Sequence, residues 1–235
     1  MSNSIKNNKN IILPDKSLND FGAAQRNKRI DADNVYESPH FVVSLQNYDF
    51  YRGELEHMPH RKFLDVVEII KYSPKDISDI CTDECSFRDV TYEDLNILGI
   101  SEEELFEMAL SNAENYLQPM IVRASDYVEG YDDEDDGCPA FFITNKALIY
   151  GATTLRYRDI NRFIYEEIGE DFYVLPANTH EVFVMGKSCG IERVMIIRQN
   201  IEMINGFILD SKEFLSRNFY YYDHEVDSLM LFEVE

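Results

Sequence analysis

Sustained hydrophobic patterning begins at Phe41. Residues 1–36 are rich in Asn, Lys, Asp and Ser and hold no period, which predicts a mobile polar arm ahead of a single domain spanning residues 37–235. Within that domain, FLDVVEIIKY (Phe63–Tyr72) is a compact β-branched run followed by Ser73-Pro74, and it predicts one buried strand. Thr91-Tyr-Glu-Asp94 and Ser101-Glu-Glu-Glu104 both mark helix starts. The second fits a capping box, in which Ser101 takes the backbone N–H of Glu104 and Glu104 reaches back. The helix after it puts Leu105, Met108, Ala109 and Tyr116 on one face and should end near Gln118-Pro119. Ala140–Tyr157 reads as a β-hairpin turning at Asn145-Lys146, with Gly151 marking a bulge. Ile160, Phe163, Ile164 and Ile168 follow at helical spacing, and Gly169 is a natural C-cap.

The remaining pattern alternates in the same way. Phe172–Leu175 and Val182–Met185 predict two strands around Pro176–His180. Gly190–Gly206 is an amphipathic helix closed by Gly206, and Asp210 with Glu213 forms a capping box for a short helix. Phe219–Asp223 and Ser228–Val234 predict a final pair of strands. The order of elements predicts an α+β fold: a mostly antiparallel sheet with helices packed on one face.

Charge narrows the functional classes. The chain of 235 residues carries a net charge of −22. The arm contributes six bases and four acids, so the remainder holds −24. Such a surface repels phosphates and anionic lipid, so direct nucleic-acid and membrane binding are not expected. It attracts a basic protein surface, including that of a nucleic-acid-binding protein, for which it can stand in as a polyanion. Solubility alone is the plainer explanation. No run of about 18 apolar residues predicts a membrane span, and the first residues do not resemble a signal peptide. The four cysteines, Cys81, Cys85, Cys138 and Cys189, are therefore expected as reduced thiols in a cytoplasmic protein. Oligomeric state is not legible from the sequence.

Five segments carry a resemblance: PHRKFLDVVEII, GISEEELFEMALSNAE, FFITNKALIYGATTL, DFYVLPANTHEVFV and FLSRNFYYYD. In this order, over roughly residues 41 to 223, they resemble a bacterial family catalogued as a domain of unknown function, the DUF5688-type family, common in anaerobic Gram-positive bacteria and their mobile elements. The resemblance implies an α+β domain and a cytoplasmic setting. It implies no activity.

Candidate chemistry is sparse. His180-Glu181 puts an imidazole beside a carboxylate, but on a strand neighbouring side chains point to opposite faces, and H-E-x-x-H is absent. The expected role of Asn178, Thr179 and His180 is to shape a turn. His57, His60, Cys81 and Cys85 are off the zinc templates, so no metal is expected there. The stretch from Asp126 to Gly137 holds seven carboxylates: Asp126, Glu129, Asp132, Asp133, Glu134, Asp135 and Asp136. Within it Asp132, Glu134, Asp136 and Gly137 match the first half of an EF-hand loop, but the twelfth position from Asp132 is Ile143, where a bidentate Glu is required. These seven are the expected contacts for a basic partner. GxSxG, GxxxxGK[ST] and GxGxxG are all missing, and no cofactor is expected. Tyr220-Tyr221-Tyr222 reads as a strand with two rings on one face and one on the other, rather than a platform for bases.

The reading is a non-enzymatic, acidic interaction protein. Its sharper form is an inhibitor from a phage or mobile element that mimics DNA and blocks a nucleic-acid-binding protein, as anti-defence proteins do. The alternative is an enzyme or metal-binding protein using His180, Glu181 and nearby carboxylates.

Overall fold

The computed structural model describes residues 11–12, 40–73, 77, 87–127, 137–208 and 212–233. Its elements are β1 (Ile11–Ile12), β2 (Phe41–Asn47), α1 (Tyr48–Tyr51), β3 (His60–Phe63), β4 (Val66–Tyr72), β5 (Arg88–Asp89), α2 (Tyr92–Leu98), α3 (Glu102–Tyr116), β6 (Pro119–Arg123), α4 (Ala124–Tyr127), β7 (Ala140–Asn145), α5 (Ile160–Ile168), β8 (Phe172–Pro176), β9 (Val182–Gly186), α6 (Ile191–Ile208), β10 (Tyr220–Asp223) and β11 (Ser228–Leu231). The fold is α+β, and every strand pairing among the described residues is antiparallel.

The strands form two sheets rather than one. Seven run in the order β1-β6-β7-β9-β8-β10-β11; β2, β4 and β3 make the second, with β5 paired to β4. Both faces of the larger sheet are covered. Phe141, Ile143, Phe172, Val174, Val182, Val184, Tyr220 and Tyr222 share a core with Ile160 and Ile164 of α5 and with Val42, Leu45 and Val66 of the second sheet. Tyr173, Leu175, Phe183 and Met185 point the other way and meet Val194 of α6. The expectation of helices on one face fails here. FYVLP and VFVMG are unbroken apolar runs, as strands buried on both faces require. The second sheet carries α2 and α3, through Phe41, Val43 and Ile70 against Leu95, Leu105, Phe106 and Ala109.

The helix starts are as expected. Thr91 and Ser101 both close capping boxes, with Asp94 and Glu104 reaching back. The buried face of α3 is Leu105, Phe106, Ala109 and Ala113; Met108 is half-buried and Tyr116 exposed. Gly169 ends α5 at φ 83°. β8 pairs with β9, and β10 with β11, around the expected turns. The tyrosine run divides as its alternation requires, with Tyr220 and Tyr222 in one core and Tyr221 against the other.

Four expectations are corrected. Phe63–Tyr72 is a hairpin, not one strand: Phe63 pairs with Val66 across Leu64-Asp65, with Leu64 at φ 53°. No Asn-Gly or Asp-Gly announces that turn. The carboxylate of Asp65 supports it, accepting from Ser216 (2.5 Å), Asn218 (2.9 Å) and Tyr220 (2.7 Å). Second, Ala140–Tyr157 is not a hairpin. β7 already has β6 and β9 as neighbours, so no edge remains for a returning strand. The chain turns at Asn145 and packs Gly151–Arg156 as a 3-10 helix, buried from Gly151 to Leu155. Third, α6 runs through Gly206 to Ile208, and Lys212-Glu213 is a turn; Asp210, half of the expected capping box, lies outside the described residues. Fourth, Cys138 and Cys189 are joined in a disulfide rather than reduced. The pairing of Ala140 with Met185 brings the two flanking segments together, with Cα atoms 4.7 Å apart. Cys81 and Cys85 lie outside the described residues. Within the expected arm, Ile11–Ile12 form β1 on the edge of the larger sheet.

The capping boxes set a stability prediction. Ser101→Ala and Thr91→Ala should each cost about 1 kcal/mol, read as a lower urea midpoint at unchanged slope. Midpoints equal to wild type would contradict the capping assignment.

Candidate functional site

His180 sits in the turn between β8 and β9. The side-chain oxygen of Asn178 accepts the backbone N–H of His180 (2.7 Å) and of Glu181 (3.1 Å), the local bonding that makes Asn a turn residue. Nδ1 of His180 accepts the backbone N–H of Tyr150 at 3.1 Å. That bond fixes the ring proton on Nε2. Nε2 faces Glu213, not Glu181, at 3.7 Å. The ring stacks on Tyr150, with centroids 5.8 Å apart, and the carbonyl of His180 accepts the hydroxyl of Thr144 at 2.7 Å. A Cβ on Gly151 would strike that same carbonyl and Thr144, so the close approach requires glycine. Both hydrogen bonds serve packing: His180 is a backbone acceptor in a turn, and Glu181 does not form its catalytic pair.

Beside it, a buried cation is neutralised in place. Lys71 Nζ lies 2.5 Å from Asp89 Oδ1 and donates to the Tyr51 hydroxyl at 3.1 Å. It also lies 5.4 and 5.6 Å from the rings of Tyr51 and Tyr150. Burial works to lower the Lys71 pKa, but Tyr150, Asp89 and Tyr51 outweigh it and the net shift is upward. Burial pushes both phenols up. Lys71 therefore stays an ammonium ion, unsuited to nucleophilic work.

A second cluster joins β8 to the β10–β11 turn. Asp171 accepts the backbone N–H of His224 (3.1 Å) and the Tyr221 hydroxyl (2.8 Å), and its Oδ1 lies 2.7 Å from His224 Nδ1. Burial raises the carboxyl, but His224 and Tyr221 outweigh it and hold it at about 2. Asp171, Asp223 and His224 place ligand atoms within 4.8 Å of one another, close enough to hold a cation. Asp171 is already committed to His224 and Tyr221, and Lys187 supplies a positive charge 3.5 Å away. The cluster fits a hydrogen-bond network better than a metal centre. Sequence reading missed it because Asp171, Lys187, Tyr221 and His224 are scattered along the chain. His60 is spent locally, 3.0 Å from the Met58 carbonyl, and exposed His57 pairs with Glu56.

One open groove, of about 960 Å³, lies between α1 and residues 214–218. Its walls carry Tyr48, Phe50, Phe214, Lys62 and Arg217, above the saturated Asp65 carboxylate.

The carboxylates concentrate on α2 and α3. Residues 91–122 hold seven acids and no Lys or Arg. Glu93, Glu103, Glu104 and Glu107 are exposed. Glu103, Glu107 and Glu114 are spaced four and seven residues apart, which aligns them along one side of α3, about 6 and 10 Å apart. On this face Arg88 pairs with Asp94 at 2.8 Å and Arg61 with Glu103 at 2.6 Å. Of the loop carboxylates expected to meet a partner, Asp126 is half-buried on α4; Glu129, Asp132, Asp133, Glu134, Asp135 and Asp136 lie outside the described residues.

Two pinned antiparallel sheets with an anionic helix pair outside define an acidic α+β protein. The chain belongs to the family of unknown function DUF5688, whose model matches residues 23–224. No curated protein and no solved structure matches it.

The setting of His180 predicts acid sensitivity. Burial holds its pKa below the ordinary value near 6.5, against the opposing pull of Glu213. Folding thus favours the neutral ring. Its contribution is complete above about 6.5 and is lost as pH falls through the depressed value. His180→Ala should cost about 1–3 kcal/mol at pH 8, by stranding the Tyr150 N–H, and should flatten the fall in urea midpoint toward pH 5. A variant with the wild-type midpoint and slope would contradict this role.

Proposed function

We propose that the protein is an acidic interaction module that docks a basic protein surface through the carboxylates of α2 and α3, together with those of residues 126–136. The observation that carries this reading is the seven-acid stretch without a single base, with Glu93, Glu103, Glu104 and Glu107 exposed on two helices. Closely spaced carboxylates steer a cationic partner and suppress anionic ones. In the sharper form, the partner is a nucleic-acid-binding protein and the acidic column occupies the site of its phosphates, so that docking inhibits it. A phage or mobile-element origin and an anti-defence role belong to this form. The cytoplasm is the proposed setting.

The test uses a partner captured from the native host and then purified. Its affinity should fall steeply between about 0.05 and 0.2 M salt, where screening shortens the reach of the charges. Glu103→Lys with Glu107→Lys should weaken binding at least tenfold, at a cost of about 1 kcal/mol in stability from the lost surface pair of Glu103 with Arg61. Duplex DNA should compete if the sharper form holds. Binding indifferent to salt and to both substitutions would refute the proposal.

A further inference from the structure

The open groove between α1 and residues 214–218 stands apart in its charge. The chain has 44 acids against 22 bases, so a base left without an acid is against the odds. Arg61, Lys71, Arg88, Arg156, Arg162 and Lys187 each pair with a carboxylate. Lys62 and Arg217 are exposed, and neither side chain has an ion-pair or hydrogen-bond partner among the described residues. Both line this groove. Two acids line it as well. Asp65 is taken by Ser216, Asn218 and Tyr220, and Asp49 is ion-paired with neither base.

The walls are held in place. Asn47, which caps α1, donates its side-chain amide to the carbonyl of Leu215 at 3.0 Å. Ser216 and Asn218 donate to Asp65 at 2.5 and 2.9 Å, which fixes the chain on either side of Arg217. Lys62 lies opposite Val67 in the β3–β4 ladder, and Val67 packs with Tyr51 of α1, so Lys62 rises on the face that α1 covers. By alternation, α2 and α3 pack on the other face of that sheet, against Ile70. Tyr48 and Phe50 of α1 each leave 39% of their surface in solvent beside the groove. The volume, about 960 Å³, lies within the range of about 300–1,000 Å³ usual for small-molecule sites, which pair aromatic walls with a few placed polar groups.

These groups together ask for an aromatic ring and an oxyanion in one molecule. The ring packs on Tyr48 and Phe50. The oxyanion meets two free cations, and a guanidinium suits a carboxylate through two parallel N–H bonds. The net charge of −22 repels an incoming anion in proportion to its charge, which favours a carboxylate over a doubly charged phosphate ester. We propose that this groove binds a small aromatic carboxylate, with its ring on Tyr48 and Phe50 and its charge on Lys62 and Arg217. The inference is independent of the proposed docking function, which uses the opposite face of the second sheet.

Fluorescence titration of the full chain with 8-anilinonaphthalene-1-sulfonate, whose single sulfonate stands in for the carboxylate, tests it. One site with a Kd below about 0.1 mM is expected in about 0.15 M salt. Benzoate should displace the dye, and neutral benzamide should not. Lys62→Ala and Arg217→Ala should each weaken dye binding at least threefold, and the two together at least tenfold. Both side chains are exposed and unpaired, so these variants should keep the wild-type urea midpoint. Glu103→Lys with Glu107→Lys should still bind the dye, which separates this site from the acidic helices. Dye binding that persists unchanged in the Lys62→Ala, Arg217→Ala variant overturns the proposal. So does displacement by benzamide as readily as by benzoate, or the absence of a saturable site.

Discussion

The structure depends on one short segment, Asn145–Tyr157, which pins the two sheets together. The hydroxyl of Thr153 accepts the N–H of Leu45 and donates to the carbonyl of Val43, both at 3.3 Å, which ties the segment to β2. Arg156 pairs with buried Glu68 of β4. Ala152 donates to the carbonyl of Thr179, and Tyr150 to the ring of His180, which ties it to the turn beside the larger sheet. The Tyr157 hydroxyl reaches the carbonyl of Leu117 at the end of α3. A buried segment outside the sheets must find partners for its backbone groups, and here those partners come from both sheets. Asp65 adds a second tie, joining the β3–β4 turn to Ser216, Asn218 and Tyr220.

This constraint decides which groups are available for function. The polar side chains gathered around Tyr150, namely Lys71, Asp89 and His180, are spent on ion pairing and on backbone groups. The surfaces left over differ sharply in charge. The α2–α3 surface is anionic and solvated, suited to steering a cationic partner. The outer side of α6 leaves Ile196, Met203 and Ile204 in solvent.

Much of the fold was legible in local pattern. Thr91 and Ser101 announced their helices because a capping box is a local exchange of hydrogen bonds, and Gly169 announced a helix end because the left-handed region favours glycine. The failures are non-local. Whether the residues after Asn145 form a strand depends on whether β7 has a free edge, which only the placement of β6 and β9 decides. The Leu64-Asp65 turn draws its support from residues about 150 positions away. The pairing of Cys138 with Cys189 follows from the register of β7 on β9. Of the candidate site, the acidic character was visible from composition, and the carboxylates of α2 and α3 add to those of residues 126–136. The run at Asp132–Asp136 drew the eye, whereas the column on α3 appears only when Glu103, Glu107 and Glu114 are placed on a helix.

The central claim is that Asn145–Tyr157 joins the two sheets into one cooperative unit. Native-state hydrogen exchange at the amides of Leu45, Tyr150 and Ala152 tests it most directly. The account predicts that all three exchange only through global unfolding, with the same free energy and the same denaturant dependence as the amides of β8 and β9. Exchange of these amides at a markedly lower free energy, with the β8 and β9 amides still protected, would show sheets that open independently and would contradict it.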